Sequence, residues 1–291
     1  MSRSPFASTV TVGEAIPEGT PILAFLETRF PTIPLDIWAS RLDGGLVTDA
    51  QGRPLSHATR VSPMMVLHYF REVAYEEPVP FVEEVIYADD HLIVACKPHF
   101  LPVIPSGKFV NETLLARLRK RFDTPDLAPV NRIDRETAGL VLFSRQKKSR
   151  GLYQSLFMDR KVSKVYEALS LSRPETEGPF HVENRLVSGD PWFRMKVEAG
   201  TPNAMSTLEC LSPRGKGGLY RICPLTGKKH QIRLHMCAIG APIANDRLYP
   251  ILLEEAPPDY ENPLKLLAKE VLFTDPISGK ACHFVSPRSL A

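Results

Sequence analysis

Several familiar devices are scarce or missing in this sequence of 291 residues. Its five cysteines, Cys96, Cys210, Cys223, Cys237 and Cys282, are odd in number and none stands in a C-x-x-C spacing. That pattern supports neither a disulfide framework nor a zinc ribbon. No apolar run approaches the length of a membrane span. The opening stretch, MSRSPFASTVTVGEA, lacks an apolar core of signal-peptide length. Together these features lead us to expect a reducing, cytoplasmic setting. P-loop, G-x-G-x-x-G and paired metal-ligand spacings are also absent, so no motif supports a bound nucleotide cofactor or a metal. There is no internal repeat and no low-complexity segment.

What is present begins with an uneven charge. The net charge of +3 names no partner by itself. Residues 1–100, however, hold seven Lys/Arg against thirteen Asp/Glu, whereas residues 117–164 hold thirteen against five. The basic middle suits an anionic partner, although a solvated basic face would carry the same charge.

Proline, with 27 residues, punctuates the first hundred positions. Residues 1–20 read as a flexible tail. Residues 21–78 read as a small unit, with helices expected over 22–30 and 35–42, the second closed by Gly44-Gly45, then a strand–turn–strand over 45–55. Residues 79–291 form the remainder. There, 85–98 reads as two short strands around Asp89-Asp90, and 111–122 as a helix with Asn111 at its N-cap. A buried strand is expected over 139–145 and a helix over 149–160, with Leu152, Leu156 and Phe157 on one face. Strands at 164–172 and 219–227 and a helix over 230–240, ended by Gly240, complete an α+β pattern of locally paired strands.

The segment Asn131-Arg132-Ile133-Asp134-Arg135-Glu136-Thr137-Ala138-Gly139 precedes the apolar run Leu140-Val141-Leu142. A carboxylate in a polar loop before a buried strand can sit at the rim of a sheet. Its neighbouring arginines should keep it ionised, and an ionised carboxylate serves as nucleophile or general base. A turn aspartate tied to its neighbours would look the same in isolation.

The segment resembles the catalytic motif of the RluA-like pseudouridine synthases, H-R-L-D-x-x-T-S-G-x-x-L. Arg132, Asp134, Thr137, Gly139 and Leu142 match it; Asn131 stands in place of the usual His, and Ala138 in place of Ser. Residues 87–98, ending in Lys97-Pro98, resemble the family's opening motif. Lys164-Val165-Tyr166-Glu167-Ala168 resembles its K-x-Y-x-A motif. Gly227-Lys228-Lys229-His230-Gln231-Ile232-Arg233-Leu234-His235 resembles G-R-x-H-Q-I-R-x-H, with Lys228 for Arg, and the stretch 240–249 extends it. The four motifs occur in the family's order. After Lys97-Pro98 the usual G-L-x-x-H-x-G is replaced by His99-Phe100-Leu101-Pro102-Val103-Ile104-Pro105-Ser106-Gly107.

The resemblance implies a pseudouridine synthase fold, with a mostly antiparallel central sheet flanked by helices. It implies isomerisation of uridine to pseudouridine in structured RNA, ribosomal or transfer, without cofactor or metal. Asp134 is the implied catalytic carboxylate, Arg233 its partner, and Tyr166 the residue that stacks on the target base. Arg132, Thr137, Lys164, Lys228, His230 and Gln231 are implied in substrate binding. A monomer is expected, with no membrane and no DNA partner. Residues 21–75 resemble the S4-type RNA-binding module, although that module is normally basic and this stretch is not. Two other readings compete: a catalytically silent RNA-binding protein on the same fold, and an unrelated hydrolase pairing Asp134 with His230 or His235.

Overall fold

The computed structural model describes residues 2–290. The chain forms two compact units, Met1–Glu77 with Ser106–Asn111, and Pro78–Pro105 with Glu112–Ala291.

In the first unit, helices Ile22–Arg29 and Leu35–Asp43 cover a three-stranded antiparallel sheet ordered Ser8–Thr11, Val66–Tyr69, Val47–Asp49. Val10, Ile22, Phe25, Leu26, Trp38 and Leu67 fill its core. The expected flexible tail is corrected here. Val10 and Val12 are buried, and Ser8–Thr11 pairs with Val66–Tyr69 along its whole length. Alternating Val10 and Val12 with polar neighbours is a half-buried strand pattern, and its partner lies far along the chain. Over 45–55 one regular strand forms, joined to Pro54 by a single bridge.

The second unit is built on a large sheet. Along its main path the strands run Met195–Glu198, Phe180–Ser188, Ala204–Arg214, Gly217–Pro224, Ser163–Ser170, Leu266–Thr274, Ala138–Ser144, Leu92–Lys97 and Glu84–Ala88. Pairing is antiparallel except between Ala138–Ser144 and Leu266–Thr274. This is the mostly antiparallel α+β architecture expected. At the parallel seam Gly139 has φ +114° and faces Ala268, where an added Cβ would overlap the Ala268 carbonyl oxygen. Only glycine fits both demands.

Two apolar clusters hold the helices on the sheet. Helix Lys147–Met158 contributes Tyr153 and Leu156 to one with Leu92, Val94, Leu140 and Leu142. Helix Gln231–Ala238 contributes Ile232 and Met236 to another with Leu208, Tyr220, Ile222 and Leu266. Burying each such side chain contributes about 1.5–3 kcal/mol.

Two local expectations are corrected. The helix expected from 111 begins at Leu114, and Thr113 caps it by accepting a hydrogen bond from the Ala116 amide. Leu152 is 48% exposed, because the helix turns Ser149, Tyr153 and Leu156 inward. The Tyr153 hydroxyl reaches the Asp275 carboxylate at 2.6 Å, which satisfies its polar end inside the core.

Candidate active site

The loop carrying Asp134 is fixed by its backbone. Its entry is tied to the strand that follows: the Val130 amide donates to the Leu142 carbonyl, and Asn131 Oδ1 accepts from the Leu142 amide at 2.8 Å. Asn131, standing where the family usually has His, therefore acts as a clamp on the sheet. Three consecutive carbonyls then each receive a donor. Asp134 O accepts from the Thr137 amide, Arg135 O from Lys97 Nζ at 2.9 Å, and Glu136 O from His99 Nδ1 at 2.6 Å. With its backbone held this way, the Asp134 side chain stays 30% exposed.

Arg233 approaches from helix Gln231–Ala238 and is nearly sealed, at 2% exposure. Its Nε and Nη2 donate to the two carboxylate oxygens of Asp246, at 2.7 and 2.5 Å. This planar two-point bond fixes the guanidinium. Nη1 lies 3.7 Å from Asp134 Oδ2, and Nη2 lies 3.6 Å from Glu136 Oε2. Asp246 is itself held by the amides of Leu248 and Tyr249. Burial works against the Arg233 charge, but bonding to Asp246 outweighs it and holds the guanidinium above the ordinary arginine range.

The expectation about which cations act on the carboxylate is corrected. Desolvation pushes the Asp134 carboxyl up, and the cations Arg233, Lys97 and Lys229 pull it part of the way back. The flanking arginines are not its ion-pair partners: among the described residues that is Arg233, and Arg135 leans towards Glu136 at 3.7 Å. Loop geometry, which sequence adjacency does not reveal, leaves neither Arg132 nor Arg135 within ion-pair distance of Asp134.

His230 precedes the helix with φ +55°. Its Nε2 lies 3.9 Å from Asp134 Oδ2, and its Nδ1 lies 2.8 Å from the Tyr249 hydroxyl. Desolvation, helped by the Arg233 and Lys229 charges, brings its pKa down to about 3, so the ring is neutral at pH 7. His235 is buried and bonds Asn184 at 3.1 Å.

A cleft opens over Asp134. All nine residues singled out from the sequence line it: Asp134, Arg233, Tyr166, Arg132, Thr137, Lys164, Lys228, His230 and Gln231. Strand Ser163–Ser170 presents Lys164 and Tyr166. Lys164 Nζ donates to the Thr226 carbonyl at 3.1 Å. The Tyr166 hydroxyl is kept protonated by burial and by the nearby Asp134 charge. Gln231 is committed within the protein. Its Oε1 accepts from Thr226 Oγ1 and the Lys228 amide, and its Nε2 donates to Met205 O and Ser206 Oγ. It clamps the 226–228 loop that forms one lip of the cleft. An adjoining groove shares Arg132, Lys164, Tyr166 and Lys228 and adds Arg160, which gives it a basic lining.

Three residues of the site were not singled out beforehand. Lys97 is fully buried beneath the loop, and desolvation lowers its pKa to about 7. Asp246 anchors Arg233, and Tyr249 anchors His230. A lysine closing an apolar strand was the one available signal for Lys97, since such a charge must find buried acceptors. Among the described residues no group of His, Cys, Asp and Glu is placed to hold a metal ion, and no helix is long and apolar enough to cross a membrane.

Residues 91–238, which contain Asp134, Tyr166 and Arg233, match the RNA pseudouridylate synthase family. The chain belongs to that family. It is similar to the dual-specificity RNA pseudouridine synthase RluA of Pasteurella multocida, 29% identical over 227 residues, covering 74% of this chain and 97% of the relative. The RluA protein of Vibrio cholerae is 31% identical over 206 residues, covering 67% and 78%. The mitochondrial tRNA pseudouridine(32) synthase of Saccharomyces cerevisiae is 33% identical over 172 residues, and the match spans only 37% of its length. Solved structures agree on the fold. Human RNA pseudouridylate synthase domain containing 4 superposes with a TM-score of 0.56 at 24% identity, covering 71% of this chain and 88% of the other. This pseudouridine synthase is accordingly an RNA-modifying isomerase, and the hydrolase reading is set aside.

Proposed function

We propose that Asp134 is the catalytic carboxylate for uridine isomerisation in structured ribosomal or transfer RNA. The observation that carries this reading is the placement of a half-open carboxylate at the base of the cleft, 3.7 Å from a guanidinium that Asp246 holds in place. In the reaction the C1′–N1 bond breaks, the uracil turns, and C5 joins C1′. The carboxylate either adds to the base or sugar, or removes the C2′ proton. The target nucleotide leaves its stack to enter the cleft, where the Tyr166 ring packs against it. Arg132, Lys164 and Lys228 face the backbone phosphates along the basic groove, which makes binding salt-dependent. Thr137 and His230 shape the pocket, while Gln231 acts through the lip it clamps. Shape and unpaired nucleotides set specificity, rather than a groove code.

A silent RNA-binding protein would have no need of this buried anchoring of Arg233 beside Asp134. We place the enzyme in the cytoplasm as a monomer. For the first unit, the S4-like reading rests on its helix–helix–strand order and on the stretch Arg41-Leu42-Asp43-Gly44-Gly45-Leu46-Val47 between helix and strand.

The test is to map pseudouridines in total RNA from cells with and without this protein. Loss of a site, restored by the wild type and not by Asp134→Asn, is expected and names the substrate. An unchanged map, or restoration by Asp134→Asn, contradicts the proposal.

A further inference from the structure

Outside the cleft, the most exposed aromatic side chain of the catalytic unit is Trp192, at 81% exposure. It sits in the short connection between strands Phe180–Ser188 and Met195–Glu198. That connection is fastened. The Gly189 amide donates to Arg194 O, and the Arg194 amide donates to Pro191 O, closing a tight turn. The Met195 amide donates to the Tyr249 hydroxyl at 2.6 Å, and the Arg194 guanidinium lies 5.0 Å from the centre of the Tyr249 ring. Tyr249 in turn bonds His230 in the cleft. Phe193 meets Trp192 edge-on, with ring centres 5.9 Å apart.

A fixed turn that presents an indole to water offers an open aromatic face to an occupant. The surroundings indicate which kind. Lys229 Nζ lies 5.9 Å from the centre of the Trp192 ring. Lys229 lies in the chain between Lys228 and His230, both of which line the cleft, so the ring neighbours the segment that forms one side of it. A flat aromatic face with an adjacent ammonium matches a nucleobase and its phosphate.

We propose that Trp192 is a stacking platform for an unpaired base flanking the target uridine, with Lys229 meeting that nucleotide's phosphate. The inference rests on the RNA reading above and adds a second base subsite to it. Trp192 takes no part in the chemistry. It holds the strand on one side of the extruded nucleotide, so its loss weakens binding and leaves the chemical step in place.

The chain has two tryptophans, and the other, Trp38, is completely buried. Acrylamide therefore reads Trp192 almost alone. The protein would be titrated with a short oligouridylate and with an abasic oligomer of the same length and charge, with binding followed separately by filter retention. Expected results are quenching of Trp192 and its protection from acrylamide by oligouridylate but not by the abasic oligomer. Trp192→Ala should bind oligouridylate about tenfold more weakly, and Trp192→Phe should regain most of that loss. Binding of oligouridylate with unchanged Trp192 emission, or with unchanged Trp192→Ala affinity, overturns the platform while leaving the RNA reading intact. Equal quenching by both oligomers assigns the change to charge alone and also overturns it. Quenching that grows with protein concentration without RNA would give the face to a second copy of this chain. Failure of both oligouridylate and bulk tRNA to bind removes the platform and the RNA reading together.

Discussion

Arg233 gives its two short hydrogen bonds to Asp246 and turns only Nη1 towards Asp134, 3.7 Å away. The guanidinium is thus held by one carboxylate in order to face another. Such an arrangement leaves Asp134 free of a tight two-point bond that would occupy both its oxygens. It also makes Asp246 a positioning residue for the site.

Asp246→Ala should therefore cost both stability and activity. Removing one partner of a buried pair strands the other charge, a loss of about 3–5 kcal/mol. Urea unfolding measures that loss. In a variant that still folds, kcat should fall far more than KM changes, because the misplaced group is Arg233 and not a binding residue. A wild-type kcat in Asp246→Ala would show that Arg233 needs no anchor.

The pH dependence has a defined sign. Desolvation pushes the Asp134 carboxyl up, so it takes its proton at a higher pH than a free aspartate. If the carboxylate is the active form, kcat/KM declines as pH drops through that raised value. Arg233 favours the ionised form, so Arg233→Met should move this decline to higher pH, relative to the variant's own plateau. A decline at unchanged or lower pH would mean that Arg233 does not act on the Asp134 charge.

Lys97 offers an independent check through stability. Its pKa is lowered from 10.5 to about 7 by desolvation in the folded protein. Between those values the unfolded chain holds a proton that the folded chain has released, so this group makes stability rise with pH across the window. In Lys97→Met that rise should be absent. The carbonyls of Pro98 and Arg135 also lose their donor, at about 1–3 kcal/mol for a buried acceptor left bare. Unfolding curves at pH 7 and pH 10 read both effects. A pH rise of the same size in wild type and Lys97→Met would show that Lys97 does not release its proton on folding.

The parallel seam sets a fourth expectation. Gly139→Ala places a Cβ against the Ala268 backbone at φ +114°. Backbone cannot move aside as a side-chain tip can, so the cost should exceed about 4 kcal/mol. Soluble Gly139→Ala with wild-type thermal stability would refute the close approach.

Much of the site was legible in the sequence, because motifs far apart along the chain carry residue types that only one cavity needs together. Asp134, Tyr166 and Arg233 come from a loop, a strand and a helix, and all three line the cleft. Their electrostatics were not legible. Sequence adjacency suggested Arg132 and Arg135 as the charges beside Asp134, but in the pinned loop the cation within ion-pair distance is Arg233, from a helix a hundred residues on. The weight of desolvation over attraction depends on packing, which no spacing records. Asp246 escaped notice because its contact with Arg233 depends on the turn at Gly240, φ +77°, that brings the chain back over the helix. In the fold, short amphipathic helices such as Leu35–Asp43 were readable from their own residues. Strand Ser8–Thr11 was not, since its partner lies beyond two helices.

The account stands most directly on release of the C5 hydrogen, which must leave when C5 becomes bonded to C1′. The measurement is tritium release from [5-³H]uridine-labelled, unmodified RNA, comparing wild type with Asp134→Asn at matched RNA retention. The account predicts release by the wild type and none above background by Asp134→Asn, with RNA bound equally by both. Release by Asp134→Asn within tenfold of the wild type would contradict it.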